Sequence, residues 1–381
     1  MDDIGFNDNL TTGAREFHIQ TATLVDEGII RTEVFEKGRV LFVENFPYER
    51  REGKDSGAEG RLRRLVDGFH QTMIEEIDTL FEMSERIFEE ENVSAHERIG
   101  QVFLYMHIFD RAEKHFQKTL ELAPERHSCY IYLARCHYFQ KRYKQSVDTL
   151  KALREKGVHY PDMYNLMGLI MLEKGKFRHA LQYFKEALKQ NQSYIEAYVN
   201  MAETILARML KLDPEQQAQD FAKSVEFLQI IIKKIDNYGG AEDRQHCTVV
   251  LKTIKQHGPQ KALSLMHEYR EKRFMQRIPP EIIGFRFQLR LLYTEEEMSS
   301  ELLESYEEKI ASALEESPSY PDLWHYLALI HLMQCRHYFL KGLDNFKDAT
   351  RINPSFDKAN KNLRLVENDG REFLSLIKTI V

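Results

Sequence analysis

The residues of this 381-residue chain with the most capacity for chemistry are its 15 histidines and 4 cysteines. Cys129, Cys136 and His137 fall within one short stretch, and His331, Cys335 and His337 within another. His331 and Cys335 are four apart, a spacing that puts imidazole and thiolate on one face of a helix, where both can ligate a zinc-like ion. A closed site needs about four such ligands, and neither a CxxC pair nor an HExxH motif supplies the others. Gly239 and Gly240 lack the Lys and Ser/Thr of a phosphate-binding loop, and no GxSxG nucleophile elbow occurs. These residues are therefore expected to be packed or surface side chains on helices. No metal, no cofactor and no catalytic residue is expected, and the chain is not read as an enzyme.

Hydrophobic residues make up 43% of the sequence and charged ones 30%, with only 10 prolines. That mixture favours a helical, well-packed chain over a disordered one. The formal charge of −7 offers no basic surface for nucleic acid or an anionic membrane. Residues 1–60 hold 13 acidic against 7 basic residues, so nearly all of the net charge sits there. No run approaches the roughly 18 apolar residues of a membrane span. The polar N-terminus carries no signal or lipid anchor, and scattered cysteines suit a reducing compartment. A cytoplasmic location is the expectation.

The elements that position any site come from a repeat. Residues 160–169 read YPDMYNLMGL and residues 320–329 read YPDLWHYLAL. At a step of 34, Tyr164, Gly168, Phe177, Ala180 and Phe184 in residues 161–194 fall on Tyr130, Ala134, Tyr143, Ser146 and Leu150 in residues 127–160. A second step reaches His96, Gly100, Phe109, Ala112 and Phe116 in residues 93–126. Each unit carries two apolar stripes at helical spacing and so reads as two amphipathic helices. Gly100, Ala134 and Gly168, opposite Ala112, Ser146 and Ala180, are small where the two axes must approach. Ala202 and Ala328 hold the first-helix slot in later units.

This pattern resembles the tetratricopeptide repeat, a 34-residue helix–turn–helix unit, and residues 174–188, KGKFRHALQYFKEAL, lie close to that family's centre. The resemblance implies a mainly α fold, a right-handed α-α superhelix, and protein binding in place of catalysis. Beyond residue 194 the rhythm loosens: residues 195–207 repeat a first helix, and the second arrives late, at 224–235. Helical pairs follow over 242–276, broken at His257-Gly258-Pro259, and over 281–316. Residues 321–354 form a last unit, with Trp324, Leu327, Ala328, Phe346 and Ala349 in its slots, and a capping helix begins at 355.

In that family the first helices line the concave face. Carried over residue by residue, this places Leu104, Tyr105, Ile131, Arg135, Tyr138, Phe139, Asn165, Leu169, Leu172, Val199 and Leu206 there, an apolar and aromatic groove anchored by Arg135. Such a groove suits a partner's amphipathic helix or extended segment. Relatives that clamp a chaperone's C-terminal carboxylate use Lys, Asn and Arg where this chain has Glu97, Gln101, Tyr132, Asp162 and Leu166, so an anionic tail is disfavoured. The expected function is a non-enzymatic scaffold or adaptor that binds another protein. The alternative is a peptide-sensing helical-repeat regulator that switches a downstream partner. A third possibility leaves the groove filled by the chain's own helices after residue 208.

Residues 16–46 are different. Alternating β-branched and aromatic residues around Glu36-Lys37-Gly38 predict a small antiparallel β-meander of three strands. A sheet this small needs support, expected from a helix starting near Gly60 and running through Leu62, Leu65, Phe69, Met73 and Ile77. The phrases FHIQT and IIRTEVFEKGRVLF resemble a module found ahead of helical repeats in some bacterial proteins, which implies a bacterial origin. The expected organisation is a β-rich module at 1–58, a connecting helix at 59–92, a repeat array at 93–238 with three regular units and one lengthened, irregular pairs at 239–317, and a final repeat with its cap at 318–381.

Overall fold

The computed structural model describes residues 4–48, 58–212, 214–275, 278–295, 297–316 and 318–380. Residues 49–57, where the β-rich module was expected to end, lie outside them. The chain forms two compact units, one of residues 1–102 with 279–381 and the other of residues 103–278.

The first unit opens with an antiparallel sheet in the order β1 (Gly5–Thr12), β2 (Arg15–Leu24), β3 (Ile29–Glu36) and β4 (Arg39–Pro47). It has one strand more than the three expected. The extra strand, β1, reads GFNDNLTT, rich in the Asn and Asp that strands usually exclude. Its pairing is set by the turn: Gly13 and Ala14 take φ of 55° and 59°, the two positive values of a tight hairpin turn whose twist matches its strands. Lys37 and Gly38, at 50° and 75°, make the anticipated turn between β3 and β4.

The inner face alternates as a half-buried sheet should. Phe17, Ile19, Ile30 and Val34 are buried on it, and α1 (Ala58–Phe88) answers with Val66, Phe69, Met73 and Ile77. Leu65, expected in that stripe, is 42% exposed, because the 3.6-residue period that aligns 62, 69, 73 and 77 selects Val66. His70 is fully buried, its two ring nitrogens bonded to Thr21 Oγ1 at 3.0 Å and Asp8 Oδ2 at 2.9 Å.

Also in this unit are α12 (Pro280–Tyr293), α13 (Ser300–Glu316), α14 (Pro321–Ile352) and α15 (Asp357–Ile380). A buried ionic cluster joins α12 and α13 to the sheet and to α1. Arg286 of α12 donates to Glu44 of β4 at 2.6 Å and to Glu76 of α1, and Lys309 of α13 reaches the same carboxylates at 2.9 and 3.2 Å. Burial opposes ionisation of Glu44, but Lys309 and Arg286 outweigh it and pull its pKa down from 4.5 to about 2.

The regular repeats begin with α2 (Val93–Tyr105), which spans the boundary between units. They continue in α3 (Phe109–Leu122), α4 (His127–Phe139), α5 (Tyr143–Glu155), α6 (Pro161–Glu173) and α7 (Phe177–Gln190). His107, Lys141 and Gly175 stand 34 residues apart and share a left-handed backbone, with φ of 58°, 58° and 67°. Each ends its helix with one bond to the carbonyl five residues back: Ile108 N–H to Phe103 O, Arg142 N–H to His137 O and Lys176 N–H to Met171 O, all 2.8 Å.

Within each pair the axes approach as the small residues require. Ser146 Oγ donates to the Ala134 carbonyl at 2.7 Å, and a Cβ on Gly168 would sit 2.4 Å from the Phe184 ring. Gly100, Ala112, Ala134, Gly168, Ala180 and Ala202 are all buried. Then follow α8 (Ile195–Met209), the lengthened α9 (Pro214–Tyr238), α10 (Ala241–His257), α11 (Pro259–Arg270) and a π-helical turn, Glu271–Met275.

The final repeat departs from expectation. Residues 321–354 were read as two helices, but α14 runs unbroken from Pro321 to Ile352. Cys335 stands where Gly175 turns the chain in the matching phrase, and the helix continues through it. Ala328 is consequently exposed, unlike its counterparts in the other units.

Candidate partner-binding pocket

The second unit contains a cavity of about 280 Å³ over the first helices α4, α6 and α8. Of the eleven predicted groove residues, it brings together Ile131, Arg135, Tyr138, Phe139, Asn165 and Leu169. Its remaining lining includes Tyr132, Asp162, Tyr194, Glu196 and Met275. Leu104, Tyr105, Leu172, Val199 and Leu206 do not line it.

The continuous exposed apolar groove does not form. Leu104, Ile131, Leu169, Val199 and Leu206 are buried, the last two completely. The reason is the chain itself: α11 packs on α8, adding Met266 and Tyr269 to the same core, with Tyr138, Leu172, Phe274 and Met275 against it. An ionic contact fixes that docking. Arg270 of α11, 3% exposed, places Nε 3.0 Å from Glu203 Oε2 of α8, and His267 Nδ1 lies 2.9 Å from Glu203 Oε1. The bond to Glu203 raises the His267 pKa above its usual value.

What remains open is a pocket with aromatic walls and a polar floor. Phe139 stacks on Phe109 with centroids 5.1 Å apart, and Tyr138 meets Phe139 edge-on at 5.5 Å. Arg135 donates to the Tyr105 hydroxyl at 3.2 Å, so Tyr105 acts from behind the lining. Asn165 donates to Glu196 Oε1 at 2.9 Å and accepts from Asn200 at 2.8 Å. The Tyr194 hydroxyl closes the other side of Glu196, 3.1 Å from Oε2.

The charges do not cancel. Burial raises the Glu196 pKa, and Arg135, with hydrogen bonds from Tyr194 and Asn165, lowers it only in part. For Arg135 burial works toward a lower pKa, yet Tyr105 and Glu196 prevail and hold it above its ordinary value. Asp162 adds an exposed second carboxylate at the rim. Among the described lining residues, one guanidinium, already engaged, therefore faces two carboxylates.

The chemical candidates fall elsewhere. Cys129 and Cys136 are buried on α4, and burial pushes the Cys136 thiol far up; Cys247 is pushed up to about 12. Neutral thiols of this kind are poor nucleophiles and poor ligands. His331 pairs with Glu307 at 3.2 Å. Among the described residues no group of three or more His, Cys, Asp or Glu side chains is arranged to hold a metal ion, and no helix is long and apolar enough to cross a membrane.

Tyr194, Glu196 and Met275 were not among the expected site residues. Glu196 occupies a first-helix inner position and was legible as such. Met275 arrives from a turn outside any repeat, where no periodicity signals it.

The family model described as tetratricopeptide repeat matches residues 107–170. No curated protein is significantly similar in sequence. Among solved structures, the chain is similar to YrrB, described as a TPR protein with an unusual peptide-binding site, at 12% identity and a TM-score of 0.30, over 64% of this chain and 96% of that one. It is also similar to TTC0263, a thermophilic TPR protein of Thermus thermophilus, at 16% identity and a TM-score of 0.30, over 54% and 99% of the two chains.

Proposed function

This chain carries tetratricopeptide repeats, and we propose that it is a non-enzymatic adaptor that captures a partner protein by a short segment presenting a Lys or Arg beside an apolar side chain. The observation that supports this reading most is the excess of carboxylate in an aromatic pocket: among the described lining residues, Asp162 and Glu196 stand against Arg135. A cationic side chain entering the pocket beside Tyr138 and Phe139 meets both carboxylates, and its charge offsets the desolvation of Glu196. Charge-assisted hydrogen bonds of this kind contribute roughly 1.5–3 kcal/mol each. A terminal carboxylate is repelled by the same groups, in line with the absence of the carboxylate-clamp residues.

The pocket is small, so it reads one or two side chains of the partner and leaves the rest of the segment to the surface beside it. A cytoplasmic setting suits the reduced cysteines and the acidic surface charge.

The test is a random-peptide display selection against the intact chain, followed by titration of the recovered peptides into the wild type, Asp162→Asn and Glu196→Gln. Selected peptides should share a basic residue next to an apolar one, and each variant should weaken binding about tenfold, the equivalent of roughly 1.4 kcal/mol. Peptides without basic residues, or equal affinity for all three proteins, would overturn the proposal.

A further inference from the structure

Helix α14 carries both halves of a repeat without the turn that lets them close. Residues 339–349 read FLKGLDNFKDA and residues 177–187 of the closed pair α6–α7 read FRHALQYFKEA. Gly342, Phe346 and Ala349 thus correspond to Ala180, Phe184 and Ala187, which are fully buried. On α14, a Cβ at Gly342 would meet nothing within 4 Å, and Phe346 and Ala349 are only half-buried. The first half is equally open: Trp324 is 53% exposed and Ala328 exposed, whereas Tyr164 and Gly168 of α6 are buried.

α15 leaves this face open at Gly342. It covers the neighbouring one, where Gly370 receives the Phe339 ring and Phe373 packs 5.2 Å from it. Two complementary half-sites therefore lie on one straight helix, and no bend at Cys335 brings them together.

We propose that two copies of this chain pair through α14, the first half of each helix lying antiparallel on the second half of the other. Each copy then completes the repeat that the continuous helix leaves open, and a single contact surface serves both chains, as a twofold dimer requires. Matching Ala328 of one copy to Gly342 and Phe346 of the other puts the twofold axis at residues 335–337. The antiparallel arrangement also sets opposite helix termini side by side.

The register makes a specific demand on Cys335, the exposed member of the four cysteines. It must lie next to its own copy across the axis. The experiment is light scattering on the full chain, combined with a short bismaleimide cross-linker, on the wild type, Cys335→Ser and Ala328→Arg. The wild type should have a mass near twice 45.1 kDa and cross-link as a dimer. Cys335→Ser should keep the mass and lose the cross-link. Ala328→Arg, a change at an exposed position, should fall to the single-chain mass with unchanged helicity and a red-shifted emission from Trp324, the one tryptophan. A wild type at the single-chain mass would overturn the proposal, as would a dimer that Ala328→Arg leaves intact or one whose Cys335 residues do not cross-link.

Discussion

Single residues decide how closely the repeat helices approach. Gly168 shows the limit, since a methyl group there would fall inside van der Waals contact with Phe184. Gly168→Ala is therefore expected to cost about 1–3 kcal/mol through overpacking, read as a lower urea midpoint with unchanged slope. Glu44 is a second residue whose behaviour follows from its neighbours. Its pKa is depressed from 4.5 to about 2 by Lys309 and Arg286, so its contribution to stability is present above pH 4.5 and is lost as pH falls toward 2. Urea midpoints measured across that range should fall for the wild type, and Glu44→Gln should flatten this part of the profile. The sequence could not have announced either partner of Glu44: Arg286 lies 242 residues away and belongs to no motif.

At the scale of elements, legibility in the sequence tracks periodicity. The pairs α4–α5 and α6–α7 were readable because Ala134, Ser146, Gly168 and Ala180 recur at a fixed step and their burial follows directly from it. The break between α10 and α11 was readable from Gly258-Pro259, and Gly258 takes φ of 82°. β1 was not, because an edge strand made of Asn, Asp and Thr is specified by its turn and its neighbour β2. The unbroken α14 was not readable either. A helix-favouring sequence through Cys335 leaves both repeat motifs intact while removing the bend between them.

The candidate site was half legible for the same reason: Arg135, Tyr138, Phe139 and Asn165 sit at repeat positions. The helix that covers Val199 and Leu206, α11, comes from the irregular part of the chain. An element-scale prediction rests on the ionic cluster. Arg286→Ala removes one of the two shared partners of Glu44 and Glu76, leaving Lys309 alone against two buried carboxylates, which should destabilise the first unit by about 3–5 kcal/mol. Hydrogen exchange should accelerate in β4, α1 and α12 and stay unchanged in α4 to α8.

For the whole molecule, the two compact units carry different features. The second unit holds a pocket whose open part is small, aromatic and acidic because the chain's own α11 has already occupied the rest of the inner face. The first unit holds a sheet and a helical frame locked by buried charge, and its α14 presents an incomplete repeat. On the proposed function, binding uses a few side chains at a preformed site, with little reorganisation of the core. Affinity should accordingly fall with added salt, since the recognition is between charges near the surface.

The measurement that tests this account most directly is hydrogen–deuterium exchange of the intact chain with and without a display-selected basic peptide. The account predicts slowed exchange in α4, α6 and α8 around Arg135, Asp162 and Glu196, abolished in the Asp162→Asn, Glu196→Gln double variant at the same peptide concentration. Protection confined to the β-sheet or to α14 and α15, with α4 and α6 unchanged, would contradict it.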